Sequence, residues 1–338
     1  MPVELKRGVN IEGWLGRPPE KNPLRFERED AELVARLGFD HLRINVDHKH
    51  LWDEAGEPIK RTFDKVDAML DTCSRLGLKA IFDLHRCPFF RDRQGEVHFH
   101  EPESMPLFLK AWRALSDHLR DRPNDMLVYE FFNEPTAKDP EDWNRLADAV
   151  HVMLRELEPD RTFILGSNAW GGPGSFPQLR PREDRNLILT FHFYLPFHLT
   201  HYRVGQHNGG YTGPVHYPGQ TITDEDLAIM NEEQRELTMK DNGPYNPAHL
   251  REKMSPAIDV ARKLDMPLYC GEWGCYDTVP RPDRLRWHAD MVAVLEEENI
   301  GWGGYAYRNH WGFVLDKEGK LDEELVGVVL SGSSPAKG

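Results

Sequence analysis

Short β-rich runs alternate with amphipathic stretches from one end of this chain to the other, and few architectures satisfy that rhythm. Strand-like runs fall at residues 7–11, 39–46, 78–85, 126–132, 162–166, 186–194, 267–271 and 301–307. Helical patterns lie between them, at 29–37, 64–76, 106–119, 141–157, 248–264 and 282–298. Within 64–76, Val66, Met69, Leu70, Cys73 and Leu76 recur at three- and four-residue spacing, and Gly77 stands where a helix usually stops. Strand then helix, repeated about eight times, predicts an α/β fold of the (β/α)₈ TIM-barrel type. A doubly wound sheet shares the alternation but ordinarily follows its first strand with a Gly-rich phosphate turn. Here that turn reads Asn10-Ile-Glu-Gly-Trp14. Nothing resembling a linker or repeat interrupts residues 1–338, so a single catalytic domain is expected.

Charge removes other classes. The chain has 42 Lys+Arg against 56 Asp+Glu, a net charge of −14, and no basic block to meet a nucleic-acid backbone. No run of about 18 apolar residues is present, so no membrane span is expected. The opening Met1–Asn10 enters a strand without a basic-then-apolar leader; a cytoplasmic location is the expectation, and a secreted one follows if a leader has been trimmed. Cys73, Cys87, Cys270 and Cys275 form no C-x-x-C zinc pattern and read as thiols, although Cys270 and Cys275 are close enough in sequence to pair if oxidised. Nothing in the sequence bears on oligomeric state.

One segment breaks the rhythm. Residues 195–246, after the sixth strand, carry His198, His201, Tyr202, His207, Tyr211, His216, Tyr217 and Tyr245 among glycines and prolines, with a short helix expected near 224–237. Loops of this length inside compact domains are usually functional, and in a barrel a loop that follows a strand sits on the C-terminal face. Its aromatic content favours a sugar-stacking wall or lid over a decorative insertion.

Two strand ends carry the chemistry. The fourth strand runs into Tyr129-Glu-Phe-Phe-Asn-Glu-Pro135, and the seventh reads Leu268-Tyr-Cys-Gly-Glu-Trp-Gly274. A lone Glu at such a place is more often a salt-bridge or capping residue. Two of them, Glu134 and Glu272, at the mouth of one barrel suit glycosidic cleavage, which needs a proton donor for the leaving oxygen and a stabiliser for an oxocarbenium-like centre. Other polar residues end strands as well: Arg43, His85, and the pair His192 and Tyr194, which strand parity places on one side. Buried polar side chains cost free energy unless paired, so packing alone does not account for them. Glu130 shares a face with Glu134 by parity and reads as structural, paired with His41 or Arg43.

The ordered set Arg43, His85, Asn133-Glu134-Pro135, His192-x-Tyr194 and Glu272, behind the opening Arg7-Gly-Val-Asn-Ile-Glu-Gly-Trp14, resembles glycoside hydrolase family 5, the cellulase family of retaining β-glycosidases. The resemblance extends over nearly the whole chain. It implies Glu134 as general acid/base, Glu272 as nucleophile, and Asn133 as a partner of the sugar 2-hydroxyl. Arg43 and Tyr194 would bracket Glu272, His85 and His192 would orient the sugar and the acid/base, and Trp273 would support the site. The departure lies in Gly303-Gly-Tyr-Ala-Tyr-Arg-Asn-His-Trp-Gly312. Many relatives end the eighth strand in a Trp that floors the cleaved sugar, and alignment puts Arg308 there, so either Tyr307 or Trp311 supplies the floor or Arg308 contacts an unusual sugar.

The implied reaction is double displacement on a carbohydrate, with β-linked glucan or its oligosaccharides as the default substrate. Exo-acting β-glycosidase and β-mannanase readings stand behind it. No cofactor or metal is implied, because two carboxyls and water suffice. The rival from another class is a metal-dependent barrel hydrolase, suggested by His48/His50 and His98/His100. It lacks a His-Glu-x-x-His motif, and the two pairs read as loop residues. No Gly-x-Ser-x-Gly supports a serine esterase.

Overall fold

The computed structural model describes residues 1–15, 24–90, 98–205 and 209–331. Its strands are β1 (Arg7–Ile11), β2 (His41–Asp47), β3 (Lys79–Arg86), β4 (Leu127–Glu130), β5 (Phe163–Gly166), β6 (Leu187–Phe193), β7 (Gly219–Gln220), β8 (Pro244–Tyr245), β9 (Leu268–Trp273) and β10 (Gly301–Gly304). Helices α1 (Arg28–Leu37), α2 (His48–Leu51), α3 (Lys60–Leu76), α4 (Ser104–Leu119) and α5 (Pro140–Leu157) follow the early strands. The later ones are α6 (Phe197–Thr200), α7 (Asp224–Ala228), α8 (Glu232–Thr238), α9 (Pro247–Leu264), α10 (Arg281–Glu297) and α11 (Glu323–Ser331). Eight strands close a barrel in the order β1-β2-β3-β4-β5-β6-β9-β10. The pairings from β1 through β6 are parallel.

The chain gathers into two compact units. The first comprises Met1–His192, Pro256–Gly271 and Gly301–Gly303, and the second Phe193–Ser255, Glu272–Ile300 and Gly304–Gly338. The first holds the barrel up to the final residues of β6, β9 and β10. Its interior begins with an apolar floor of Leu5, Ile81, Val128, Ile164, Ile188 and Tyr269. Inward side chains recur every second residue along a strand, so the next layer holds Asp83 and Glu130, which lie side by side in register, as do Asn10 and Arg43. All four are fully buried. Helices α4 and α5 support the strand ends from outside: Trp112 donates to the Phe131 carbonyl and Trp143 to that of Gly166, each at 2.9 Å.

At the opposite end, Asp40 ties the first two strands together. It accepts the backbone N–H groups of Lys6 at 3.1 Å and Arg7 at 2.9 Å and pairs with His41 Nδ1 at 2.6 Å, while His41 Nε2 meets the Tyr269 hydroxyl at 2.8 Å. Only glycine fits at residue 8, because a Cβ there would lie 2.1 Å from the His41 ring. Burial alone would raise the Asp40 pKa, but the His41 hydrogen bond and charge, Lys79 and the Arg7 amide outweigh it and hold the carboxyl well below the usual range.

The second unit shows what the 195–246 segment does. Tyr202, Tyr211, Tyr217 and Tyr245 are buried with Leu199, Val215 and Ile222. These tyrosines are therefore interior side chains of the segment that carries the antiparallel β7–β8 pair, not the sugar-stacking wall expected of them. Tyr217 donates to Asp290 on α10 at 2.7 Å, and Trp287 donates to the Leu195 carbonyl at 3.1 Å. The helix expected near 224–237 is two, α7 and α8, each opened by a capping box at Thr223 and Asn231. His207 lies outside the described residues. His48 and His50 sit on α2, where an i, i+2 spacing turns two rings to different sides.

A depressed carboxylate stabilises the fold above its unfolded pKa and loses that contribution as pH falls. Asp40→Asn is therefore expected to be less stable than wild type at pH 7 and to lose less stability between about pH 5 and pH 2. Urea unfolding across that range measures both.

Candidate active site

In the first unit, four residues past β4, Glu134 accepts or shares a proton with His192 Nδ1 at 2.8 Å. The His192 ring is buried, whereas about a quarter of the Glu134 side chain, 28 %, is exposed. The His192 backbone N–H donates to the Gly171 carbonyl at 2.9 Å. A Cβ on Gly271 would lie 2.9 Å from Thr190 Oγ1 and 3.1 Å from His192 Nε2, so the ring occupies the space a side chain at 271 would need. Backbone and packing thus fix the imidazole that orients this carboxyl.

Arg43 is the hub beneath it. Its guanidinium makes a bidentate pair with Glu130 at 2.7 and 2.9 Å, donates to Asn10 Oδ1 at 2.8 Å and to Asn133 Oδ1 at 2.8 Å, and lies 3.1 Å from Asp83. Asn10 in turn donates to the carbonyls of Gly271 and Gly303, at 2.9 and 3.1 Å. Because Arg43 engages the oxygen of Asn133, the amide nitrogen of that residue is the end left to present a donor. Asp83 Oδ2 also meets His85 Nδ1 at 2.6 Å, which fixes the tautomer of that ring. Burial pushes the Glu130 pKa up, Arg43 opposes this, and the Asp83 charge adds to the rise.

A cleft of about 310 Å³ opens onto this layer, lined among others by His85, Asn133, Glu134, Phe132, Phe90 and Trp170. The first unit therefore offers a partly exposed carboxyl, an amide donor and an imidazole on one concavity. That set can donate a proton to a polyhydroxylated ligand while hydrogen-bonding it.

In the second unit, the Tyr194 hydroxyl donates to Glu272 Oε2 at 3.0 Å. Glu272 is 4 % exposed. An aromatic group surrounds Tyr194, with ring centroids at 5.3 Å for His201, 5.5 Å for Trp311 and 6.5 Å for Tyr305. Phe197 stacks on His201 at 3.9 Å. A buried carboxylate that accepts a phenol hydrogen bond beside apolar rings is shielded from water and oriented.

Each unit thus carries one carboxyl held by a neighbouring side chain, His192 on Glu134 and Tyr194 on Glu272. The family model for cellulase, glycosyl hydrolase family 5, matches residues 9–310. The chain belongs to that family. It is a glycoside hydrolase, and its substrates are carbohydrates. Endoglucanase C of Acetivibrio thermocellus is 28 % identical over 97 % of this chain and 98 % of its own length. Cellodextrinase A of Ruminococcus flavefaciens is 27 % identical over 87 % of this chain and 83 % of its own. The crystal structure of the endoglucanase from hyperthermophilic Thermotoga maritima superposes with a TM-score of 0.77 at 23 % identity, covering 96 % of each chain.

Set against this family 5 framework, some residues expected at the sugar lie elsewhere. Trp273 is fully buried, packed against Trp287, His288 and Phe313, because adjacent strand residues point to opposite faces and Glu272 has the other one. Tyr307 is buried too and carries the Arg308 guanidinium 5.5 Å above its ring. The eighth barrel strand stops at Gly304, so Arg308 does not end it; the residue that directly follows is Tyr305. Tyr305 was missed, and the glycine pair 303–304 was the signal for the earlier strand end; of the aromatic 195–246 segment, His201 is the residue that reaches the Tyr194 group. Trp311 does join the aromatic group at Tyr194.

Replacing Arg43 by Lys keeps the charge but cannot reproduce a fork that engages Glu130, Asn10 and Asn133 together. Arg43→Lys is expected to destabilise the fold by about 3 kcal/mol, in the range for a broken buried ion pair, and to lower kcat. Urea unfolding and steady-state kinetics on one preparation check both.

Proposed function

We propose that this family 5 enzyme hydrolyses β-1,4-glucan and its oligosaccharides at internal bonds, with retention of anomeric configuration. Glu134 is the acid/base and Glu272 the nucleophile. Glu134 protonates the glycosidic oxygen as Glu272 attacks the anomeric carbon, which releases the leaving sugar and leaves a glycosyl ester on Glu272. Water, deprotonated by Glu134, then attacks the same carbon and frees the second product. Asn133 donates to the sugar 2-hydroxyl, His85 contacts the same sugar, and His192 orients Glu134. Tyr194 holds Glu272, with Tyr305 and Trp311 as the apolar surface beside the cleaved ring.

The Glu134–His192 pair in the cleft, with the Asn133 amide turned by Arg43, is the observation that carries this reading. A carboxyl held by an imidazole beside an amide donor supports a proton donor next to a 2-hydroxyl partner, the pairing that cleavage of a glycoside with a free 2-hydroxyl uses. The glucan specificity is supported by relatives named endoglucanase and cellodextrinase along nearly the whole chain.

Mass spectrometry of products from β-1,4-glucan, β-1,3-glucan and β-mannan is expected to show a fragment ladder from β-1,4-glucan alone, absent in Glu272→Gln. A release of single sugars or disaccharides only would overturn the endo reading. Because Glu134 must carry a proton and Glu272 must not, activity is expected to fall on both sides of an optimum. Glu134→Ala is expected to slow cello-oligosaccharide hydrolysis by about 10²- to 10⁴-fold, but glycosylation by a β-cellobiosyl fluoride far less, since fluoride departs without general-acid help. Equal losses on both would contradict the acid/base role.

A further inference from the structure

The cleft that holds Glu134 continues past His85. Where β2 and β3 run out, Asp47, Lys49 and Arg86 line the same concavity as the carboxyl. Asp47 and Arg86 are register partners across the two strands. Lys49 keeps 67 % of its side chain exposed and lies 3.7 Å from Asp47, a loose contact. Arg86 is exposed as well, and among the described residues no carboxylate pairs with it. Two cations against one carboxylate give this end of the cleft a surplus positive charge, in a chain whose net charge is −14. Burial drives the His50 pKa down, Asp47 opposes the fall, and Lys49 and Arg86 add to it. Both cations act on one imidazole, so their charges share one short stretch of the cleft wall.

Unpaired cations are ordinary on a protein surface, and exposed ion pairs contribute little to stability. These two stand on the wall of the substrate cleft. A plain glucan offers hydroxyls and C–H faces, and neither calls for surplus positive charge. Guanidinium and ammonium groups match instead the oxygens of a carboxylate or a phosphate. Around the barrel β2, β3 and β4 are neighbours, so the rim presents Lys49, then His85 and Arg86, then Asn133 and Glu134. Glu134 stands at the bond to be cut, and Lys49 and Arg86 lie away from it, toward the part of the substrate that stays on the enzyme. We propose that this end of the cleft seats an oxyanion substituent, carboxylate or phosphate, on the sugar next to the one that Asn133 holds. Acid-decorated β-glucan oligosaccharides are then better substrates than plain ones. The inference rests on the acid/base and glucan reading given above and names a substrate class within it.

The test uses cellotetraose, the same tetraose with a C6 carboxylate on its non-reducing ring, and one with a C6 phosphate there. The readout is the ratio of kcat/KM for acidic over neutral substrate, with the released disaccharides identified by mass spectrometry. Wild type in about 0.01 M salt is expected to give a ratio of about 3 to 10 for at least one of the two acids, the effect of two exposed charges. It should release that acid as a disaccharide, which puts the charged ring one sugar beyond the cleaved one. The ratio should fall to about one in the double variant Lys49→Gln/Arg86→Gln, drop below that in Arg86→Glu, and shrink in about 1 M salt, where the screening length is only about 3 Å. A preference confined to one acid names the substituent. A preference that the double variant and Arg86→Glu both retain would overturn the proposal, because the charge would then be met elsewhere. A wild type that cuts neutral cellotetraose without favouring either acid overturns it too and leaves the glucan reading standing. A wild type inert on all three substrates overturns that reading, and this proposal with it.

Discussion

One guanidinium, that of Arg43, organises the upper interior of the barrel. Two carboxylates, Glu130 and Asp83, are fully buried with it, an arrangement that would be prohibitive without close pairing and near-complete hydrogen bonding. The bidentate bond to Glu130 sets the plane of the fork. The remaining donors then reach Asn10 on β1 and Asn133 beyond β4. Asn10 passes the connection to the backbones of Gly271 and Gly303, the last residues but one or two of their strands. Structural charge and active geometry are therefore the same network. A barrel core filled only with aliphatic layers would pack as well, but it would leave the Asn133 amide free to rotate.

The apolar floor explains how such a polar layer is tolerated. Leu5, Ile81, Val128, Ile164, Ile188 and Tyr269 close one end of the barrel, and stability there does not depend on the chemistry above. The same division appears outside the strands. Trp112 and Trp143 bury large apolar faces from α4 and α5 while their N–H groups hold carbonyls at the ends of β4 and β5. The helical layer thereby sets the positions of the loops that carry Glu134 and Trp170.

The barrel was legible because its signal is periodic: eight strand-like runs, with amphipathic helices between most of them, can be read without knowing any contact. Glu134, Glu272, Arg43, His85, His192 and Tyr194 stand out in the sequence because polar residues at strand ends have no packing explanation, and the structure gives each of them a side-chain hydrogen-bond partner. What failed lacked periodicity. The Tyr202, Tyr211, Tyr217 and Tyr245 series looked like a ligand wall, since composition does not reveal whether an irregular segment builds its own core. Trp273 was placed at the sugar although its neighbour Glu272 already claimed that face. Trp170, which lines the cleft, carried no sequence signal beyond the glycines that follow it, because its place there is tied to a bond from its N–H to the Pro135 carbonyl, distant in sequence.

The central claim is that Glu272 becomes covalently glycosylated. Intact-protein and peptide mass spectrometry after incubation with a 2-deoxy-2-fluoro-β-cellobioside bearing a dinitrophenyl leaving group tests it directly, because the 2-fluoro group slows turnover of the ester more than its formation. The account predicts one fluorocellobiosyl unit per chain, on the peptide that contains Glu272, and its release when a sugar acceptor is added. An adduct on another residue, or active enzyme that releases the opposite anomer and accumulates no adduct, would contradict it.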